Sequence, residues 1–331
     1  MKIIKKLMQI ALAVFFFSLL ATSTVLADDT DSEGWKFVQE NGRTYYKKGD
    51  LKETYWRVID GKYYYFDSLS GEMVVGWQYI PAPHEGVTIG SSIRQDIAFR
   101  PDWFYFGQDG VLQEFVGKQV LEAKTATNTN KHHGEQYDSP AEKRVYYFED
   151  QRSYHTLKTG WVYDEGHWYY LLKDGGFDSR INRLTVGELA RGWTNDNSTW
   201  YYLDPTTAAM QTGWKQLGNN WYYLRSSGAM ATGWYQEGST WYYLDQPNGD
   251  MKTGWQNLGN NWYYLRSSGA MATGWYQDGS TWYYLNAGNG DMKTGWFQVG
   301  SKWYYAYSSG ALAVNTTVDG YSVNYNGEWV Q

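Results

Sequence analysis

Tryptophan and tyrosine are the residues of this sequence whose number and spacing could do chemistry. The chain contains 19 Trp and 32 Tyr among 331 residues. Their ring faces are electron-rich, so a cation held over them gains roughly 0.5–2 kcal/mol per ring. A quaternary ammonium suits such a surface because it carries charge but has no N–H group that needs an acceptor. The same faces could stack on sugar rings, so the aromatic content alone leaves both ligands open.

The tryptophans recur at a fixed spacing in the second half of the chain. A Gly-Trp pair is followed by a second Trp that opens a Trp-Tyr-Tyr run, and the unit returns every 20 or 21 residues. A period of this size indicates a repeat array. The first tryptophans are Trp193, Trp214, Trp234, Trp255, Trp275 and Trp296, and the second are Trp200, Trp221, Trp241, Trp262, Trp282 and Trp303.

Each unit has the pattern of a β-hairpin. In Gly213–Leu224 two aromatic runs flank Gly218-Asn219-Asn220, and Gly and Asn between strand-forming residues favour a tight turn. A lone two-stranded hairpin is marginal in water, so each unit must pack on its neighbours. The sequence therefore predicts an all-β solenoid of stacked β-hairpins, with degenerate repeats and inserted loops towards the N-terminus.

Strand alternation sorts the rings of one unit into two faces. Tyr222 and Leu224 point to one face, which suits the packed core, and Trp221 and Tyr223 point to the other. Aromatic residues on both faces exceed what the core of a small hairpin needs. This surplus favours a ligand-binding surface, and the alternative is that every ring packs the core.

The chain divides into four predicted segments. Residues 1–27 have the layout of a secretory signal peptide, with basic Lys2, Lys5 and Lys6 before the apolar run Met8–Leu20 and a cleavage site ending at Ala27. Residues 28–159 are a degenerate repeat region with loop insertions at 79–102 and about 118–144. Residues 160–315, where Trp161 and Trp168 open the series, hold the regular repeats, and 316–331 form a C-terminal cap.

Composition excludes several classes of protein. The net charge is −6 and cysteine is absent, which argues against nucleic-acid binding, thiol chemistry and cysteine-ligated metals. The sequence shows no apolar stretch of membrane-spanning length after the predicted signal peptide. The mature chain is therefore expected to have no transmembrane segment, and its retention at a surface to be non-covalent.

The sequence shows no recognisable motif for catalysis, metal binding or cofactor binding. A glycoside hydrolase needs two carboxylates about 5–10 Å apart, but with 35 acidic residues close pairs such as Asp102 with Asp109 arise by chance. The adjacent histidines His132 and His133 lie in a polar stretch and are expected to be solvated. The sequence thus predicts a protein that is not an enzyme and that has no cofactor.

The repeat resembles the choline-binding repeat of Gram-positive surface proteins. The motif Gly-Trp, five or six residues, Trp-Tyr-Tyr-Leu, then Gly and Met matches closely over Gly192–Asn315 and loosely from Gly34 onward. Membership of the choline-binding protein family implies that choline sits between consecutive hairpins, caged by two Trp of one unit and a Tyr of the next. The implied sets are Trp161 and Trp168 with Tyr202, Trp193 and Trp200 with Tyr223, Trp214 and Trp221 with Tyr243, Trp234 and Trp241 with Tyr264, Trp255 and Trp262 with Tyr284, Trp275 and Trp282 with Tyr305, and Trp296 with Trp303, which lack a following Trp-Tyr-Tyr unit.

The resemblance also implies partners and location. The ligand would be choline or phosphocholine of teichoic and lipoteichoic acid, and the protein would be secreted and held non-covalently on the cell wall surface. Because repeats make up nearly the whole mature chain, it could modulate wall hydrolases that use the same ligand. The alternatives are an adhesin that presents the N-terminal insertions to host proteins, and an α-glucan-binding module with similar aromatic repeats.

Overall fold

The computed structural model describes residues 34–83, 101–135, 142–149, 155–173, 175, 177–178 and 183–331. Every regular element in these residues is a β-strand, which confirms the predicted all-β class. No helix in this part of the chain is long and apolar enough to span a membrane. The predicted signal peptide and most of the first insertion lie outside the described residues.

The chain forms two compact units. The described residues of the first lie within Met1–Gly160 and Leu171–Leu189, and those of the second lie within Trp161–Tyr170 and Ala190–Gln331. The first strands are β1 (Lys36–Glu40), β2 (Arg43–Lys48), β3 (Leu51–Lys52), β4 (Tyr55–Ile59), β5 (Lys62–Phe66), β6 (Val74–Pro81), β7 (Pro101–Phe106), β8 (Gly117–Glu122), β9 (Lys131–His132), β10 (Lys143–Glu149), β11 (Thr156–Leu157), β12 (Gly160–Asp164), β13 (His167–Leu171), β14 (Phe177–Asp178) and β15 (Arg183–Leu184).

The remaining strands all belong to the second unit. They are β16 (Gly192–Asp196), β17 (Thr199–Leu203), β18 (Gly213–Leu217), β19 (Asn220–Leu224), β20 (Gly233–Glu237), β21 (Thr240–Leu244), β22 (Gly254–Leu258), β23 (Asn261–Leu265), β24 (Gly274–Asp278), β25 (Thr281–Leu285), β26 (Gly295–Val299), β27 (Lys302–Ala306), β28 (Thr316–Val318), β29 (Tyr321–Val323) and β30 (Trp329–Val330).

The first unit contains drifted hairpins enlarged by extra strands. Strands β4 and β5 pair alone, while β6 lies between β7 and β9, and β10 lies between β8 and β11. The segment 118–144, expected to be an enlarged loop, supplies most of β8 as well as β9, and β8 pairs antiparallel with β10. The end of β8 covers Trp77, which is 1% exposed and donates its indole N–H to the Glu122 carbonyl. Trp56, 4% exposed, is covered by Phe104 and Phe106 of β7.

The second unit is a series of two-stranded antiparallel hairpins that ends in the three-stranded sheet of β28, β29 and β30, and the hairpins from β16 to β27 share one register. In each hairpin the Gly-Trp tryptophan lies opposite the second Tyr of the Trp-Tyr-Tyr run, as Trp214 lies opposite Tyr223. Leu224 follows the predicted alternation, because it is fully buried. Tyr222, expected on the same packed face, is half buried like Tyr223 and lies 5.0 Å from Trp193 of the preceding hairpin. The leucines equivalent to Leu224 are also fully buried, namely Leu203, Leu244, Leu265 and Leu285.

Backbone hydrogen bonds from the methionine segments join successive hairpins. The N–H of Met251 donates to the carbonyl of Trp221 at 2.8 Å, and the same bond recurs from Met271 to Trp241. The methionine side chains pack inside the stack, as Met210 does under Gly228, whose φ is +83° and where an added Cβ would lie 2.2 Å from the Met210 sulfur. The methionines therefore pack the stack, and Gly228 leaves room for one of them.

Candidate functional site

The two tryptophans of each regular hairpin differ in exposure. The Gly-Trp tryptophans from Trp161 to Trp296 are half buried. The second tryptophans, Trp168 to Trp303, are between 36% and 45% exposed. One large apolar ring per hairpin therefore stays open to solvent at a constant position, and repeated exposure of this kind marks an interaction surface.

Each Gly-Trp ring meets two tyrosines at a steep angle. The Trp214 centroid lies 5.2 Å from Tyr223 of its own hairpin and 4.9 Å from Tyr242 of the next, with interplanar angles of 66° and 62°. Rings held at such angles form adjoining walls of a box. The same inter-hairpin contact, at 4.7–5.0 Å, joins Trp161 to Tyr201, Trp193 to Tyr222, Trp234 to Tyr263, Trp255 to Tyr283 and Trp275 to Tyr304.

The inter-hairpin ring contact differs by one residue from the sequence expectation. Tyr243, expected to face Trp214, instead lies 5.2 Å from Trp234 in its own hairpin. Tyr242 points back towards the preceding hairpin because neighbouring residues of a strand face opposite sides. The expected tyrosines Tyr202, Tyr223, Tyr243, Tyr264, Tyr284 and Tyr305 all lie 5.0–5.3 Å from the Gly-Trp ring of their own hairpin.

The last hairpin receives its closing rings from the C-terminal cap. Trp296, Trp303, Tyr321 and Trp329 line a cavity of 290 Å³. The Tyr321 centroid lies 5.7 Å from Trp296 at an interplanar angle of 83°. Sequence reasoning missed these two cap residues because no Trp-Tyr-Tyr run follows Trp303. The signal was the Asp319-Gly320 turn, which directly precedes Tyr321.

Carboxylates alternate with aliphatic side chains along the stack. The indole N–H of Trp214 donates to Glu237 at 3.0 Å, and Trp255 makes the same bond to Asp278 at 3.0 Å. Trp161 and Trp296 donate likewise to Asp196 and Asp319. The residues that take this position beside Trp193, Trp234 and Trp275 are Leu217, Leu258 and Val299. Every second box thus carries a negative charge, which strengthens attraction for a cation.

An additional ring joins some of the boxes. Tyr235 stacks on Tyr223 with centroids 3.9 Å apart, and Tyr276 stacks on Tyr264 at the same distance. Burial, together with a hydrogen bond to Tyr223, raises the pKa of Tyr235 above its ordinary value. Tyr235 thus adds a neutral ring 6.0 Å from Trp214.

The histidine expected to be solvated is half buried in an ion-pair network. His132 Nδ1 lies 3.0 Å from Glu135 Oε1 and 3.2 Å from Glu72 Oε2. These three side chains offer potential ligand atoms within 4.8 Å of one another. Arg43 already contacts Glu72, and Lys131 Nζ lies 3.4 Å from Glu135. The expectation of a solvated histidine is therefore wrong for His132, which lies among these charged side chains.

Comparisons with known proteins identify the repeats. The choline-binding repeat model matches residues 211–253 and 252–297. The model described as a putative cell wall binding repeat matches 159–177, 192–206 and 294–312. The comparison with curated proteins found no match.

Solved structures extend the similarity over most of the chain. The chain is 71% identical to CbpJ of Streptococcus pneumoniae over 90% of this chain and 100% of that one, with a TM-score of 0.81. It is 60% identical to choline-binding protein F of the same organism over 90% of this chain and 99% of that one, with a TM-score of 0.82. A structure of choline-binding protein F in complex with ipratropium is 59% identical over 90% of this chain and 99% of that one, with a TM-score of 0.80. The chain belongs to the choline-binding protein family, and its repeats are choline-binding, cell-wall-associated repeats.

Proposed function

We propose that the protein is a non-catalytic surface protein that holds choline groups of teichoic and lipoteichoic acid in the boxes of its second unit. The observation that carries this proposal is the recurrence of an exposed second tryptophan beside a steeply angled Trp–Tyr pair. Electron-rich walls favour a cation, and the carboxylate beside every second box favours it further. A neutral sugar carries no net charge for those carboxylates to attract, so their charge favours choline over the α-glucan alternative.

The ligand bound by a relative supports a quaternary ammonium. Choline-binding protein F has been solved with ipratropium, a drug whose charged group is a quaternary ammonium. Choline presents the same chemistry in smaller form, with a trimethylated nitrogen that has no N–H. We accordingly assign choline to the sets of two tryptophans proposed from the sequence, closed by Tyr201, Tyr222, Tyr242, Tyr263, Tyr283 and Tyr304 of the following hairpins and by Tyr321 of the cap.

Retention would come from many weak sites rather than one strong site. If a box supplies about 4 kcal/mol, the dissociation constant of one site is about millimolar. Seven Gly-Trp tryptophans from Trp161 to Trp296 offer one box each. A polymer that carries many cholines can engage several boxes at once, and avidity then exceeds the affinity of any single box. Secretion followed by this engagement would hold the protein on the wall without a covalent bond.

The first unit is the part available for an effector role. Its tryptophans Trp56 and Trp77 are buried, so it offers less open aromatic surface than the second unit. We propose that occupation of wall choline by the second unit brings the first unit close to wall hydrolases that use the same ligand. The same arrangement would serve an adhesin, and the full chain retained on a choline resin distinguishes the two roles, because it should then capture a purified wall hydrolase in the first case and a host protein in the second.

Capture on immobilised choline tests the proposed ligand. The full chain should bind a choline-coupled resin and elute with free choline, and it should pass through a resin coupled to ethanolamine, which lacks the methyl groups. A dextran resin provides the comparison for the glucan alternative. Failure of free choline to elute the protein, or equal retention on dextran, would contradict the assignment.

A further inference from the structure

An aromatic box in the first unit already holds a cation from the protein itself. Lys124 is fully buried, and its Nζ lies 4.0 Å from the ring centroid of Tyr146, 4.4 Å from Trp77 and 5.6 Å from Trp103. Among the described residues this Nζ has no hydrogen-bond partner. Removing an ammonium from water is costly unless other groups replace its hydration, and here three ring faces are the groups in contact with it.

These rings occupy the positions of the boxes in the regular repeats. Trp77 lies opposite Tyr105, and Trp103 lies opposite Tyr79, two residues further along β6. The register of β18 and β19 places the two tryptophans of that hairpin in the same way. The first tyrosine of the Tyr-Tyr pair in β10, Tyr146, lies 4.8 Å from Trp77 at 64°. The corresponding contact in the second unit measures 4.9 Å and 62°.

The insertion that carries Lys124 also replaces the acceptor of the regular boxes. The indole N–H of Trp77 donates to the carbonyl of Glu122 at 2.8 Å, whereas in every second regular box the tryptophan donates to a carboxylate, as Trp214 does to Glu237. Tyr105 fixes the same residue by donating from its hydroxyl to Glu122 Oε2 at 3.0 Å. The Lys124 carbonyl accepts from the N–H of Leu184 at 2.7 Å. The backbone on both sides of the lysine is therefore held while its side chain enters the box.

We propose that Lys124 is an intramolecular ligand of a former choline-type box, so that Trp77, Trp103 and Tyr146 bind a primary ammonium of the same chain and exclude external cations. The identity of the external cation rests on the proposed function. The presence of the internal ligand does not, because it follows from the position of Nζ between the three rings.

Burial and nearby groups act in opposite directions on the protonation of the Lys124 amine. Burial lowers the pKa of Lys124 to about 7, and the negative charge of Glu188 acts against this lowering. The ring faces also favour the charged amine. An apolar side chain of similar length would fill the same space without these attractions, and this gives a matched substitution for the test.

Rescue by a small primary ammonium tests whether the rings hold the lysine as a ligand. Lys124→Ala leaves the three rings without their cation, so ethylammonium should raise the urea midpoint of this variant and leave that of the wild type unchanged. Lys124→Met should not respond to ethylammonium, because the thioether chain fills the box. A folded Lys124→Ala protein whose urea midpoint ethylammonium leaves unchanged would overturn the proposal.

A measurement on the wild-type protein keeps the proposal testable if Lys124→Ala fails to fold. With lysine labelled at the ε carbon, ring currents should move the ε-methylene signals of Lys52, which faces one ring, and of Lys124, which faces three, upfield of the others. Lys124→Met identifies the Lys124 signal by removing it. Saturating choline should leave it unshifted. The proposal would be overturned if the chemical shift of the Lys124 ε-methylene lay within the range of exposed lysines, or if it moved into that range as choline binds. If the wild type binds no choline but keeps the upfield signal, only the proposed function fails.

Discussion

The regular boxes of the second unit and the Trp77 box of the first unit use the same rings in the same register. Trp221 is 40% exposed, whereas Trp103 is 9% exposed. The difference arises from what covers each box, since strand β8 and the segment after it lie over Trp77, and Lys124 takes the cation position. The comparison indicates that the hairpin supplies the box, and that insertions decide whether an external ligand reaches it.

Truncation of the covered tryptophan should have the largest effect. Trp77 is 1% exposed and packs in one core cluster with Tyr146, Phe148 and Leu157. Trp77→Ala removes a fully buried indole and should lower the free energy of unfolding of the first unit by roughly 3–5 kcal/mol. Urea unfolding measures this, with Leu69→Ala, at a residue 96% exposed, as the control. A loss below 1 kcal/mol would show that the box is not part of the core.

Truncation of an exposed tryptophan should reduce choline binding more than stability. Trp221→Ala should cost less stability than Trp77→Ala, because the ring already lies partly in water. It should also remove one bound choline per chain in a dialysis experiment, and Trp77→Ala should not. If Trp221→Ala lowers stability as much as Trp77→Ala while leaving choline binding unchanged, the second tryptophans belong to the core rather than to ligand boxes.

The fold was predictable from sequence where the repeat is regular. The spacing of Trp214 and Trp221 defined the hairpin, and alternation placed Leu224 in the core, because both depend on local strand geometry. The choice between Tyr242 and Tyr243 as the ring that meets Trp214 depended on how hairpins stack, which a single unit does not encode. Lys124 was missed for a related reason. Its partners lie far away in sequence, and nothing in the local motif points to them.

Exchange of the carboxylate between boxes should have the smallest effect and tests the alternation most closely. Glu237→Gln keeps an acceptor for the Trp214 indole but removes the charge, so choline affinity at that box should fall by up to about fivefold, the scale of an exposed ion pair worth at most about 1 kcal/mol. Leu258→Glu introduces the charge into an aliphatic box and should raise affinity there by a similar factor. Choline titrations at low and high salt measure both, and the effects should shrink as salt screens the charge. Should Glu237→Gln bind choline as tightly as the wild type at low salt, the carboxylates would serve only to orient the tryptophans, and all the boxes would bind alike.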